Sequence, residues 1–290
     1  MQNVKLAAAA AAIAAMILFS QALRGAEAEP SSGSPVNWWQ TSSLAHTSSP
    51  GRYLAHVEGT LSFMDARGNT EGNAFDARAG FDLRRGRITN RFTTEFSKRD
   101  MVYGFGGGSI DVTEATTRNH VEYDLNKYSV LVGGLEHYRN SLMFIDGRTT
   151  AYSGVGVTLL QNERNKFNVT GGIGFASFQF DRQGIGAVNP GAVARVPDMS
   201  PSSGGSLLMQ SWHCQLSRQV TLMQDSLFLD YFDGALGKRW SLGLDLNVPL
   251  SKRFSIAPGY RIRAENNEII KAVGVKPQDR TLSIGIRVSI

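Results

Sequence analysis

The chain has 290 residues, 42% of them hydrophobic, with 31 glycines and a formal net charge of +5. That is enough for one large β domain or two small ones, and no stretch beyond the N-terminus reaches the ~18–20 apolar residues of a spanning helix. The single cysteine, Cys214, excludes an internal disulfide framework and a multi-cysteine zinc site, and no basic run is dense enough to suggest nucleic acid.

Met1–Lys5 is a short basic n-region, Leu6–Phe19 an apolar h-region, and Ala26-Glu27-Ala28 a small-x-small site. Together they predict a cleaved secretory signal peptide over residues 1–28. Residues 29–52, rich in Ser, Pro and Thr, read as a flexible lead-in. Within it, Trp38-Trp39 would touch a membrane interface, plug a barrel mouth or make a satellite packing contact.

From Tyr53 the chain alternates with period two. In Tyr53–Phe63, residues Val57, Gly59 and Leu61 share a face opposite Glu58, Thr60 and Ser62. The next strand is the clearest: Phe75, Ala77, Ala79, Phe81 and Leu83 against Asp76, Arg78, Gly80, Asp82 and Arg84. A one-residue slip would put four charges on the apolar side, so its register is strongly specified. Arg85-Gly86 turns into a third strand, which sets Ile88, Phe92 and Phe96 against Arg87, Arg91 and Glu95. A loop over about Lys98–Ile110 carries Gly104–Gly108, which lacks the residues of a phosphate loop. Strand four sets Val121, Tyr123 and Leu125 against Arg118, His120, Glu122 and Asp124. Strand five, Tyr128–Tyr138, bears glycines and has ambiguous facing. A connection over Asn140–Arg148 follows, then strands six (around 150–159) and seven (around 167–175).

Asp181–Gly205 reads as a long outer loop. Strands eight (Leu207–Leu216) and nine (Val220–Tyr231) follow. Strand ten sets Trp240, Leu242, Leu244, Leu246 and Val248 against Arg239, Asp245 and Asn247. In strand eleven, Phe254–Ala264, Pro258 lacks a ladder donor and predicts a bulge. A polar loop, Glu265–Gln278, leads to the last strand, with Leu282, Ile284, Ile286, Val288 and Ile290 on one face.

These elements predict an all-β fold, an antiparallel transmembrane β-barrel of about twelve strands over residues 53–290. Short turns alternate with longer loops, the rhythm of periplasmic turns and outer loops. An even strand count brings Tyr53–Phe63 and the last strand together in antiparallel, leaving no open edge in lipid.

Gly59-Thr60-Leu61-Ser62-Phe63 followed by Arg67–Gly72, then Tyr152–Val157, Leu244–Leu250 and Asp279–Ile290, resemble segments of the salt-induced outer-membrane protein family (YdiY-like, a domain of unknown function). The resemblance covers roughly residues 53–290. It implies an outer-membrane β-barrel and brings no catalytic residues. Outer-membrane barrels generally end in an aromatic residue, and this chain departs from that with Ile290.

The candidate site is a lumen charge cluster: Asp76, Arg78, Asp82, Arg84, Arg91, Glu95, Arg118, Glu122, Arg239, Asp245, Arg261, Arg263 and Arg287, with Arg87 and Asp124 also expected to point inward. It reads as a salt-bridged filling or as an arginine-rich constriction selecting anions. Ser211 and His213 share a face about 7 Å apart, and no Gly-x-Ser-x-Gly elbow accompanies them. His56, His120 and His137 fall on separate strands and read as isolated lumen residues, and Cys214 as a small packed hydrophobe. The expectation is a structural or pore-type outer-membrane barrel, stress-related by resemblance and not an enzyme. It would have no metal or cofactor, and its partners would be outer-membrane lipids and, through the last strand, the assembly machinery. The alternatives are a barrel enzyme acting on envelope lipids, or a soluble periplasmic barrel binding an apolar ligand with its charged face outside.

Overall fold

The computed structural model describes residues 53–67, 72–102, 109–126, 128–162, 164–195, 200–217, 220–251, 254–273 and 278–289. The signal peptide over 1–28, the lead-in over 29–52 with Trp38-Trp39, the Gly104–Gly108 loop and Ile290 lie outside the described residues, as does the side chain of His56.

Twelve strands close into one antiparallel barrel. They are β1 (Tyr53–Arg67), β2 (Gly72–Arg85), β3 (Ile88–Val102), β4 (Ser109–Asp124), β5 (Ser129–Asn140) and β6 (Ile145–Gln161), then β7 (Asn165–Phe180), β8 (Ser202–Gln215), β9 (Thr221–Tyr231), β10 (Lys238–Pro249), β11 (Phe254–Asn266) and β12 (Gln278–Ser289). The barrel shuts where β1 pairs with β12, Leu61 opposite Ile286 and Thr60 opposite Arg287. This is the pairing expected from the alternation.

Alternation sets what each strand shows outside. Leu61, Phe92, Leu131, Val155, Ile173, Leu208, Leu282, Ile284 and Ile286 are exposed on the outer surface. Their neighbours in sequence, such as Thr60, Ser62, Glu136 and Arg287, are buried. A soluble barrel with its charges outside is therefore not the arrangement found.

Several connections are more ordered than the sequence suggested. The loop placed at Lys98–Ile110 is shortened because β3 runs to Val102 and β4 starts at Ser109. The connection placed around Asn140–Arg148 is shorter: the chain reverses within Ser141–Phe144 and β6 starts at Ile145. The Asn140 side-chain oxygen makes that tight turn possible by accepting from the Leu142 and Met143 amides at 2.9 and 3.1 Å, a local bond that polar turn residues supply. Asp181–Gly205 holds two short helices, α1 (Arg182–Val188) and α2 (Pro190–Arg195), before β8 begins at Ser202. Asp181 caps α1 by accepting from the Gly184 amide at 2.9 Å. Glu265–Gln278 begins inside β11 and contains α3 (Glu268–Val273). Pro258 makes no bulge. Pairing with β10 skips Leu246 and Asn247 but resumes in the same register, Asp245 opposite Gly259 and Val248 opposite Ile256, and Pro258 itself pairs with Ile284 of β12.

At the loop end the interior between β5 and β10 is filled by a hydrophobic cluster. Tyr138, Met143, Phe178, Phe180, Leu229 and Tyr231 pack there with Ile185 of α1, Leu236 and Ile270 of α3. Phe178 stacks on Phe180 and meets Tyr231 edge-on, with ring centroids 5.5 and 5.6 Å apart. Asn189 donates to the Ala272 carbonyl at 2.9 Å and ties the α1–α2 segment to α3. The loops thus fold back over the bore because their apolar residues have no other core to enter.

The turn after β9 depends on Gly237, at φ +59°, where a Cβ would strike the Asn266 carbonyl. Gly86 has a similar φ, +57°, but open space around it. Gly86→Ala should cost about 1–2 kcal/mol for the left-handed backbone alone, and Gly237→Ala distinctly more. Urea midpoints of refolded barrels that shift equally for the two variants would contradict this.

Candidate functional site

The interior is built by the inward residues of every strand. Asp76, Arg78, Glu95, Asp245, Arg261, Arg263 and Arg287 border a recess of about 50 Å³ on the β1–β4 and β10–β12 side. Asp82, Arg91, Arg118, Glu122 and Arg239 line a larger cavity of about 520 Å³, which reaches the short-turn end at Asn126, Gln161 and Asn247. Arg84 is held at that end by Asp124, 2.6 Å away. Arg87 sits exposed in the turn before β3. His137 is also a correction: it faces outward, exposed, 3.1 Å from Thr149 Oγ1.

The charges meet in three groups. In the first, Glu95 accepts from Arg78 Nε at 2.6 Å and from Arg261 and Arg263 at 2.9 and 3.4 Å, and Arg263 also pairs with Glu114. In the second, Glu136 accepts from Arg118 Nε at 3.1 Å and from Arg239, with Arg148 at 3.6 Å. Arg148 in turn pairs with Glu265 and lies over the Tyr138 ring, 4.4 Å from its centroid. In the third, Arg91 donates to Asp82 at 3.0 Å. Beside that pair, His120 Nδ1 is 2.9 Å from the Tyr152 hydroxyl and Nε2 3.0 Å from Glu122.

Many of these pairs cross the bore. Glu136 on β5 faces Arg239 on β10, Arg148 on β6 faces Glu265 on β11, and Glu95 on β3 meets Arg261 and Arg263 on β11. Glu114, Glu136, Arg148, Lys166, Asp225 and Glu265 are interior charges beyond the sequence-predicted set. Once they are included with Asp124, carboxylates match cations one for one among the described residues, so arginine does not dominate. Two signals could have found Glu136: exposed Leu131 and Leu135 fix the outer face of β5, and the even positions must then face inward.

The walls differ in polarity. On β5–β9 the cavity is lined by Val130, Val132, Tyr152, Met209, Met223 and Leu227, several of them in or against the hydrophobic cluster above, and also by Lys166, Asn168, Thr170 and Asp225. The opposite wall carries the arginine–carboxylate pairs. Ser211 and His213 both line the cavity, and Ser211 Oγ accepts from Asn168 at 3.4 Å. No group of metal-ligating side chains occurs among the described residues.

Removing one partner of a buried pair leaves the other charge uncompensated, at about 3–5 kcal/mol. Glu136→Gln should lose stability on that scale, whereas Lys238→Ala, at an exposed pair with Asp230, should lose less than about 1 kcal/mol. Denaturant titration of both variants in the same lipid checks the contrast, and comparable losses would count against a buried brace at Glu136.

Among solved structures, the chain is similar in fold to the NanC porin, with TM-score 0.51 at 7% identity over 79% of this chain and 98% of the porin. Weaker likenesses include the translocator domain of the autotransporter NalP from Neisseria meningitidis (TM-score 0.44, 11% identity, 81% and 88% covered). The KdgM porin is another (TM-score 0.43, 8% identity, 80% and 99% covered). No curated protein matches the chain. The family described as proteins of unknown function, DUF481, is matched over residues 59–290. The chain therefore belongs to that DUF481 family.

Proposed function

We propose that the protein is an outer-membrane barrel of structural or pore type, without a catalytic role, whose bore is narrowed by charged cross-links. The observation that carries this reading is the division of faces: an apolar outer surface running around the barrel and charge gathered inside. Placed in lipid, each interior arginine would cost about 2–4 kcal/mol near the midplane. Left in water, the outer surface would be an apolar patch far larger than soluble proteins tolerate. The strands, of 11 (β9) to 17 residues (β6), meet or exceed the ~9–11 needed to cross. Export would use the signal peptide over 1–28, and β12 would present its outer row, Leu282, Ile284 and Ile286, to the assembly machinery and to lipid. A role under salt or envelope stress rests on the family resemblance.

The charge cross-links favour low conductance over a wide channel. The protein should pellet with outer membranes and resist carbonate extraction; full release by osmotic shock sinks this reading. In planar bilayers, wild type should give small current steps, and the Arg261→Ala/Arg263→Ala variant larger ones, because two side chains leave the bore.

A further inference from the structure

We infer that the short-turn rim of the barrel binds anionic phospholipid headgroups, with Arg85 and Arg87, on either side of the β2–β3 turn, as its defined site. This rests on the reading above of an outer-membrane barrel. Its short turns then face the periplasm, and the lipid is that of the inner leaflet.

Charge is divided unequally between the two ends of the barrel. The stretches between strand ends on the short-turn side are 86–87, 125–128, 162–164, 216–220 and 250–253. Their sequence holds Arg87, Lys127, Arg164, Arg218, Lys252 and Arg253 against one acid, Glu163. The loop-side stretches hold Arg182, Arg195, Lys271 and Lys276 against five acids. Among the described residues, Arg85, Arg87 and Arg164 are exposed at the short turns. Asp124, at the end of β4, is engaged by Arg84 at 2.6 Å. The interior ion pairs described above include none of the three exposed arginines.

The same rim is apolar on its outer face. Arg85 on β2 pairs with Ile88 on β3, and Ile88 with Tyr123 on β4, so the three lie in one cross-strand row. Ile88 is 48% exposed and Tyr123 41%, with Phe92 further up the same face of β3 at 43%. Asp124 donates its amide to the Arg87 carbonyl at 2.8 Å and pins the turn to β4. Exposed Tyr128, Leu216, Leu250 and Phe254 stand close in sequence to the other turn cations.

A free anion would use the arginines and leave the apolar row idle, whereas a phospholipid uses both. Guanidinium groups suit a phosphate, which accepts paired N–H bonds from them. Here they sit where the apolar belt gives way to water, the depth at which basic side chains attract an anionic leaflet. The acyl chains then lie along Ile88, Tyr123 and Phe92. A zwitterionic headgroup brings its own ammonium to the same cations, so a lipid of net negative charge is preferred.

The test uses the full-length protein in neutral detergent, with bound lipid counted by native mass spectrometry. The probes are phosphatidylglycerol and phosphatidylcholine of the same chain length. Phosphatidylglycerol should be retained at least about fivefold more tightly, the scale of one basic residue at a membrane surface. The Arg85→Gln/Arg87→Gln variant should lose most of that preference, and Arg182→Gln, exposed at the loop end, should keep it. Equal retention of the two lipids by wild type overturns the inference, and this comparison needs no variant to fold. An unchanged preference in the double variant, or an equal loss in Arg182→Gln, also overturns it. So does displacement of the lipid by inorganic phosphate at equal concentration, since the apolar row would then add nothing. A carbonate-resistant barrel without lipid preference defeats this inference alone, whereas release by osmotic shock defeats the functional reading.

Discussion

The bond that organises this barrel is the one across its bore, between Glu136 on β5 and Arg239 on β10. Glu136 is also held by Arg118 on its neighbour strand and approached by Arg148 from β6, so one carboxylate gathers four strands. Such a group, almost without solvent, is tolerated only because its desolvation is offset by several cations. An ion pair of this kind adds little net stability over apolar packing, but it penalises arrangements that leave a member unpaired. Here that penalises any shift of β5 against β10. The hydrophobic cluster beside it does the reverse: it supplies favourable burial but little positional demand.

The two devices divide the lumen by height and by wall. At the loop end, aromatic packing and α1 and α3 fill the β5–β10 side. Lower down, a wall of mixed polarity faces an open cavity and a row of arginine–carboxylate pairs. The residues that fix the shape of the barrel and those that would meet a solute are therefore largely the same.

The fold was legible because one face of each strand had to suit a different solvent from the other. Asp76, Arg78, Asp82 and Arg84 leave β2 a single register, and the closing pair β1–β12 follows from the even count. The site was only half legible. Arg148 and Glu265 lay in stretches read as connections, because strands that continue past the apolar belt lose the alternation that marks them. Glu136 lay in a glycine-bearing strand whose two faces differ little in composition. Missing these acids made arginine look dominant. The inward folding of Asp181–Gly205 had no periodic signal at all, since Ile185 and Val193, eight residues apart, are the hydrophobic residues of the segment that pack on the cluster among the described residues.

The braces also bear on the order in which the molecule can assemble. Glu136 and Arg239 are 103 residues apart in the chain, Arg148 and Glu265 are 117 apart, and Glu95 and Arg263 168 apart. Neighbouring strands can zip together hairpin by hairpin with little loop-closure entropy, whereas these contacts must wait for β10 and β11. Until then Glu95 and Glu136 have only their neighbour-strand partners among those named above, Arg78 for Glu95, and Arg118 and Arg148 for Glu136. The arrival of the eleventh strand thus adds the cross-bore partners of Glu95, Glu114 and Arg148 together, and closure by β12 completes a structure already held from within.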